Sequence, residues 1–450
     1  MADSRRLGAK LMIVGPLIAI ALGRWGSYLK LPGGPFYLPD VAVAMGLGLY
    51  VLGGWSMTRG KTSTDKGHLD ESVLSRHLVV CSSMLSIVCI VIGLNVGEGS
   101  RILSIRDAMP FVYFAMVPVF IRAISTLGSS LVFKYLCTAV ILHTLWILPA
   151  KLGLLQPVAI PIIGGVPAFT TRNDFDMLIC GLTIAVIACA TEIRTSAKIL
   201  LISANVTAIA FSGSRAGMIA GVVAVGIVLF AMKPFSDRLK GPVRLAVLCT
   251  VLAIIIPLVF IYRENPPSWA IGLQKLLPND SDAYASGQNT WNARIYAWER
   301  LVNFTNSDSD RRIFGSGFGE NPVRDSGALE FLSGDPQVRA AHNFLITWHA
   351  FLGVFGAVIV VAIIILFVAA SLSSRKTASR FTYIGRACSV GVLLTAFGGV
   401  ILESPFGYMT FTLSVAMAIY RPREHEQIGD QSTSYMIERA AQTDPRGKLV

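Results

Sequence analysis

Charged residues are scarce in this chain. They make up 15% of its 450 residues, against about 25% in a typical soluble domain. Hydrophobic residues make up 53% and form long uncharged runs, such as 245–262 and 351–372. A helix that spans a bilayer needs about 20 mostly apolar residues in succession. The composition therefore argues against a soluble globular protein and predicts an all-helical membrane protein.

The chain also lacks the sequence signatures of several common enzyme classes. All seven cysteines fall in apolar runs, so neither a disulfide framework nor zinc-ligand spacing is present. No P-loop, Rossmann glycine pattern or His-Glu-x-x-His motif occurs. No signal-peptide cleavage site is recognised, and the apolar run 11–22 is interpreted as part of the first spanning helix.

About twelve spanning helices are predicted. They lie near 9–23, 36–55, 78–96, 108–121, 135–150, 175–191, 199–212, 216–232, 245–262, 343–372, 387–402 and 405–420. With the N-terminus in the cytoplasm, the inward short segments hold 19 Lys and Arg and the outward ones hold 7. The positive-inside rule favours that orientation. The net charge of +12 then reflects cytoplasmic anchoring and needs no nucleic-acid partner.

These spans divide the chain into four parts. Residues 1–262 form a bundle of nine spans, 263–341 form a large outer loop with short helices, and 342–420 form the last three spans. Residues 421–450 are expected to be a largely disordered cytoplasmic tail. Because long loops of this kind are often functional, the loop directs attention to the outer face.

The outer loop contains two recognisable patterns. The run 290–304 has helical spacing and is predicted to place Ile295, Trp298, Leu301 and Val302 on one face. The glycine-rich run 313–321 predicts a turn. We therefore expect one or two helices and a glycine-rich turn over the outer mouth of the bundle.

Arg215 is the first candidate site residue. It lies in the sequence FSGSRAG between spans seven and eight, and a charge near membrane depth is a functional hypothesis by default. Its planar guanidinium suits phosphate, and Ser212, Gly213 and Ser214 have the composition of a binding turn. The alternative is an arginine at a helix end that extends to the membrane surface.

His342 is the second candidate, because it stands where the long loop re-enters the membrane. A histidine can act as a base near neutral pH. His349, seven residues on, is interpreted as structural. The outward carboxylates Glu98, Asp107 and Glu403 have no partner that the sequence identifies.

Further arginines lie in the loop and at the membrane rim. Arg294 in the loop helix and Arg172 before span six are candidates, with a surface salt bridge as the alternative. The remaining loop arginines are interpreted as structural: Arg311, Arg312, Arg324 and Arg339. Asp174 and Asp176 have the spacing of a divalent-metal site, but a helix N-terminus explains them as well, and no metal is predicted.

These features together resemble the O-antigen ligase and polymerase superfamily of bacterial surface-polysaccharide enzymes. The family motif is His, then Asn, Ser or Gln, nine residues, Gly, two residues, and Gly, Thr or Tyr. Here it reads as His342, Asn343, nine residues, Gly353, two residues and Gly356. Arg215 matches the arginine between spans and Arg294 the loop arginine. The resemblance covers roughly 170–402.

The resemblance implies a glycosyltransferase of the membrane-embedded, GT-C-like type, located in the bacterial inner membrane and active on the periplasmic face. The donor would be a glycan on undecaprenyl diphosphate, with no metal, cofactor or nucleotide sugar. The acceptor would be lipid A-core for a ligase or a second lipid-linked glycan for a polymerase. Arg215, Arg294 and Arg172 would bind the diphosphate, and His342 would act as base, orient the acceptor or contact phosphate.

The ligase function is favoured over an O-antigen or exopolysaccharide polymerase. A polysaccharide transporter or flippase is a more distant alternative. Transporters typically show broken helices in matching halves and charges at mid-depth. Here the charges gather at one face and the two halves do not match.

Overall fold

The computed structural model describes residues 2–26, 29, 36–55, 69–158, 167–190, 192–210, 282–332, 338–373 and 379–421. The predicted spans 216–232 and 245–262 lie outside these residues, as does the turn that contains Arg215. The first part of the outer loop and the tail after residue 421 also lie outside them.

The described residues fold into helices, apart from one isolated β-bridge between Val158 and Ala168. We number the described helices in chain order as α1 Ala2–Gly26, α2 Leu38–Trp55, α3 Leu69–Val96, α4 Arg101–Ala115, α5 Val117–Leu127, α6 Ser129–Lys151, α7 Asn173–Cys189, α8 Thr195–Ala210, α9 Asp282–Asn306, α10 Ser309–Phe314, α11 Pro322–Asp325, α12 Leu329–Leu332, α13 Phe344–Leu372, α14 Arg380–Ala396 and α15 Pro405–Ile419.

Four described helices are long and apolar enough to cross a membrane: Asp3–Gly26, Leu74–Val96, Ser129–Lys151 and Phe344–Leu372. The bent pair α4 and α5 makes a fifth candidate, and three shorter apolar helices accompany them. α13 exposes a row of large apolar side chains that includes Val354, Val358, Val361 and Ile365. Such a surface suits lipid rather than water. The prediction of a helical polytopic membrane protein is confirmed at this level, and the count of twelve stays a prediction.

Two predicted spans were wrong in their bounds. The segment 108–121 is part of two helices that meet at a bend of 52°. Pro118 lies in the first turn of the second helix, and a proline lacks the N–H that would continue the first. The predicted span 387–402 is displaced: α14 runs from Arg380 to Ala396. Ser379 caps its start, since its side chain accepts a hydrogen bond from the Thr382 N–H. Residues 397–404 are therefore a connection outside the helix.

The predicted loop helix is confirmed and is longer than expected, spanning Asp282–Asn306 as α9. Its buried positions are Ala297, Leu301 and Thr305, with Trp298 packed beside them. Ile295, which was predicted to share a face with Trp298 and Leu301, is 42% exposed, so the buried face of the helix does not include it. The inward face of α9 begins instead at Arg294, one turn before Trp298. A search for apolar spacing does not identify this position, because arginine is polar.

The helix ends come together in two groups. At one end, the start of α7 and the connection 397–404 meet α9 and the start of α13. At the other end, Arg380 donates to the Cys189 carbonyl at 3.1 Å and Arg386 donates to the Ser371 carbonyl. Each contact joins segments that the alternating-span prediction assigns to the same side. The fold thus gathers the outward-assigned segments into one region.

Candidate functional site

His342 lies immediately before α13 with its backbone in the left-handed region, at a φ of +58°. Few residues other than glycine adopt this conformation, and it is maintained only where the surroundings impose it. Here both neighbours are held. The Ala341 carbonyl accepts a 2.6 Å hydrogen bond from Trp298 Nε1, and the Ala341 N–H donates to Thr347 Oγ1 at 3.0 Å. The turn therefore holds the backbone of His342 in this conformation.

Asn343, the second residue of the sequence motif, is the N-cap of α13. Its Oδ1 accepts hydrogen bonds from the Leu345 and Ile346 N–H groups, at 3.0 and 3.3 Å. These bonds satisfy donors that have no partner within a helix's first turn. Its Nδ2 donates to the Phe397 carbonyl at 3.3 Å. Asn343 thus starts the helix and ties His342 to the connection 397–404.

Arg294 reaches the same connection from the loop. Its Nη1 donates to the Gly398 carbonyl at 2.7 Å. Burial lowers the pKa of Arg294, and the nearby positive charge of Arg172 acts in the same direction, whereas Asp174 opposes both. An arginine keeps its charge even so. The loop helix therefore contributes a partly buried cation to the region beside His342.

Arg172 completes the described cations of the site. Its Nε donates to Asp174 Oδ1 at 3.0 Å, with side chains 20% and 16% exposed. Its backbone N–H donates to Asp176, whose other oxygen faces the buried His143 at 3.6 Å. The two carboxylates thus have different partners, and the described residues contain no group of three or more candidate metal ligands.

Electrostatic coupling shows that these groups share one environment. Burial lowers the pKa of His342 from 6.5 to about 4, with further lowering by Arg294 and Arg172 and an opposing effect of Asp174. At neutral pH a neutral imidazole therefore lies near two arginines and the Asp174 carboxylate. Two arginines in a partly buried region suit an anionic group such as phosphate.

Glu403 belongs to this region as well, although the sequence identified no partner for it. Both of its carboxylate oxygens are buried and have no hydrogen-bond partner. Burial raises its pKa from 4.5 to about 7, whereas its own backbone N–H, Thr347 and Arg172 act in the opposite direction. Its position in the short polar break between two apolar segments is the signal that could have identified it.

The glycine of the motif at position 353 interrupts α13, with a φ of +66°. The Ala350 and Phe351 carbonyls next to this break accept hydrogen bonds from the Ser316 and Gly317 N–H groups, each at 2.9 Å. A Cβ at position 353 would overlap the backbone of Ile313 and Phe314. The predicted glycine-rich turn is thus confirmed, and it is docked into the break. Gly356 continues the helix and is buried.

Asp107 and Arg339 hold the other end of that turn. The Asp107 carboxylate accepts from the Gly319 N–H at 2.9 Å and pairs with Arg339. The structural interpretation of Arg339 is confirmed, and Asp107 is not without a partner. Arg311 stacks 4.2 Å from the centre of the Phe304 ring, and Arg324 pairs with Asp325 on the surface.

Arg215, Ser212, Gly213 and Ser214 lie outside the described residues and stay predictions. Of the remaining predicted site residues, the structure brings together His342, Asn343, Arg294 and Arg172. Gly353 and Gly356 lie ten and thirteen residues after Asn343 in α13, and Gly353 contacts the glycine-rich turn. His349 lies within α13 and makes none of the site contacts described above.

Comparison with known protein families connects this geometry to a function. Residues 199–361 match the family model described as O-antigen ligase. This match supports the resemblance of the chain to the O-antigen ligase and polymerase superfamily. The matched O-antigen ligase region contains these predicted site residues: Ser212, Gly213, Ser214, Arg215, Arg294, His342, Asn343, Gly353 and Gly356. Arg172 and Glu403 lie outside it and join the site only in the tertiary structure. No curated protein matches the chain.

Proposed function

We propose that this protein is an inverting glycosyltransferase that moves a glycan from undecaprenyl diphosphate to a sugar hydroxyl at the periplasmic face of the bacterial inner membrane. The proposal is most specifically for an O-antigen ligase that joins O-antigen to lipid A-core. About twelve spans and a GT-C-like architecture would form the scaffold, with both termini in the cytoplasm. The family match supports an O-antigen ligase or polymerase, and the ligase is the function that we favour.

The observation that carries the proposal is the convergence of Arg172, Arg294 and His342 on one partly buried region at the outward-assigned helix ends. Transfer from a lipid diphosphate builds negative charge on the leaving group. Preorganised cations stabilise that charge in the transition state. Arg215, which is predicted to lie on the same outer face, would add a third cation. No metal is required in this scheme, because the arginines supply the positive charge.

His342 would contact the reacting groups in its neutral form. Its low pKa leaves the imidazole uncharged at pH 7, so one ring nitrogen is free to accept a hydrogen bond while the other donates. The rigid turn at residues 341–343 would fix its orientation toward donor and acceptor. Such positioning is a large part of rate enhancement in group transfer.

A deletion strain tests the proposal through its glycans. Without a ligase, lipid A-core carries no O-antigen polymer and lipid-linked polymer accumulates. Without a polymerase, core carries a single repeat unit. Without an exopolysaccharide polymerase, only a secreted polysaccharide is lost. Unchanged glycans in the deletion strain would reject all three.

Complementation of that strain tests the site. We expect R294A to lower transfer about 100-fold or more, since it removes a transition-state donor. R294K keeps the charge without the planar fork and should restore part of the activity. R324A is the matched control, because Arg324 is a loop arginine whose side chain is 62% exposed. Equal activity of R294A and R324A would reject the assignment.

A further inference from the structure

The connection between α14 and α15 contains one carboxylate, that of Glu403. Three site elements converge on this connection. Asn343 donates to the Phe397 carbonyl, Arg294 donates to the Gly398 carbonyl, and Gly399 packs against Asp174. The segment therefore lies among the start of α13, the loop helix and the start of α7. Glu403 is linked to the same region through Thr347 in α13 and Arg172, which also acts on His342.

The Glu403 carboxylate has an arrangement that is costly for a purely structural residue. The residue as a whole is partly exposed, but both carboxylate oxygens are buried and neither has a hydrogen-bond partner. Buried polar atoms in folded proteins almost always have partners, because leaving one unpaired costs about 1–3 kcal/mol. A group kept in this state has hydrogen-bonding capacity available for a ligand.

The neighbouring hydroxyl does not remove this capacity. Thr347 already donates its proton to the Asn343 carbonyl at 2.9 Å and accepts from the Ala341 N–H. A hydroxyl has a single proton to donate, so Thr347 cannot satisfy both oxygens of an ionised carboxylate. Burial of Glu403 favours its protonated form, whereas Thr347 and Arg172 favour the ionised form. Both forms of Glu403 thus have support from its surroundings.

We infer that Glu403 is the general base that takes the proton from the acceptor hydroxyl, an inference that rests on the proposed glycosyl transfer. In this step the acceptor oxygen forms a bond to the anomeric carbon as its O–H bond breaks. The bond between that carbon and the phosphate oxygen breaks, and its electron pair leaves with the diphosphate. The proton resides on the Glu403 carboxyl and is released to water in the next cycle. His342 and the arginines hold the donor.

The electrostatics agree with this division of roles. A base works best when its pKa lies near the working pH, and that of Glu403 is raised to about 7 whereas that of His342 is lowered to about 4. The groups of the site that act on Glu403 are Thr347 in α13 and Arg172 before α7. Among them Arg172 is the charge that acts on the Glu403 pKa directly.

The test uses the purified full-length protein in lipid nanodiscs with undecaprenyl-diphosphate-linked glycan as donor. Transfer rate is measured from pH 5.5 to 9, and donor-site affinity is measured separately with undecaprenyl diphosphate. We expect E403Q to lower the rate at least about 100-fold while donor affinity changes less than about twofold. E403D should retain part of the rate and the rise in rate near pH 7. E330Q, an exposed loop glutamate, is the matched control.

Other outcomes overturn the inference. If E403Q transfers glycan with the same rise near pH 7, the base is another group, and His342 is the next candidate. If E403Q loses donor affinity as R294A does, Glu403 serves binding rather than proton transfer. A folded E403Q with the wild-type melting temperature at pH 5 excludes misfolding as the cause of lost activity. If the wild-type protein itself transfers no glycan, the proposed function fails along with this step.

Discussion

At position 342 the chain combines a left-handed backbone with an imidazole whose pKa is lowered to about 4. A conformation of this kind costs on the order of 1–3 kcal/mol. It is offset here by the bonds that hold Ala341 and Asn343 on either side. The neighbours of His342 thus hold its backbone in a conformation that a residue other than glycine rarely adopts.

The first residue-scale prediction separates that backbone from the imidazole. H342G should melt within a few degrees of the wild type, because relief of the left-handed strain offsets the extra freedom of glycine when unfolded. H342V should melt lower, since a β-branched residue is strongly disfavoured at positive φ. Both should lose glycan transfer. Thermal unfolding in detergent and transfer assays measure the two effects.

Two results would contradict this prediction. If H342V is as stable as H342G, the turn at residues 341–343 does not impose the left-handed conformation. If H342G retains transfer, the imidazole has no part in the reaction. H349A is the control, because His349 lies seven residues into the same segment and makes none of the site contacts described.

At the scale of elements, the break in α13 explains why the sequence motif contains a glycine ten residues after Asn343. The break leaves the Ala350 and Phe351 carbonyls without helical donors, and the glycine-rich turn supplies N–H groups to both. That turn is held in addition by Asp107 through the Gly319 N–H. The outer loop is therefore docked onto the spanning helices by backbone hydrogen bonds.

The element-scale prediction concerns Gly353. G353A adds a Cβ where it would overlap the Ile313 and Phe314 backbone, and it strains a residue at a φ of +66°. We expect a lower melting temperature and a loop that is cleaved faster by protease added from outside. G48A is the matched control, since a Cβ at Gly48 in α2 meets nothing within 4 Å. Equal stability of the two variants would show that the break does not anchor the loop.

At the scale of the whole molecule, the site is assembled from segments far apart in sequence. Arg172, Arg294, His342 and Glu403 come from four separate stretches, each at a helix end or in the outer loop. The helix contacts bring these ends to one side. The opposite ends form their own contacts, including Lys134 with Glu192 at 3.5 Å. A site built at one end of a bundle can meet a lipid-linked substrate from the bilayer and a second substrate from outside.

The whole-molecule prediction is the orientation of the chain. In a background with the seven native cysteines replaced, S307C in the exposed outer loop should react with a membrane-impermeant maleimide in intact spheroplasts. E192C, at a side chain 72% exposed, should react only after permeabilisation, because positive-inside anchoring places it in the cytoplasm. Reaction of E192C and protection of S307C in intact spheroplasts would reverse the proposed orientation.

Much of the architecture is determined locally and could be predicted from the sequence. Runs of apolar residues predict spanning helices because a bilayer leaves the backbone no other partner for its polar groups. The loop helix around Trp298 and the glycine-rich turn were predicted by spacing and composition. The bend near Pro118 and the helix end at Ala396 were not predicted. Apolar residues continue through both places, and only a proline or a cap marks the change.

The site shows the same division. His342, Arg294 and Asn343 were identified from the sequence motif, and Arg172 from its charge at the membrane rim. Nothing in the linear order shows that Arg172 and Glu403 join them, because contacts over 60 to 230 residues depend on helix packing. Burial, which lowers the pKa of His342 and raises that of Glu403, also exists only in the folded chain. The sequence by itself determined which residue types and helices are present, whereas the tertiary structure decided which charges meet and which groups are neutral.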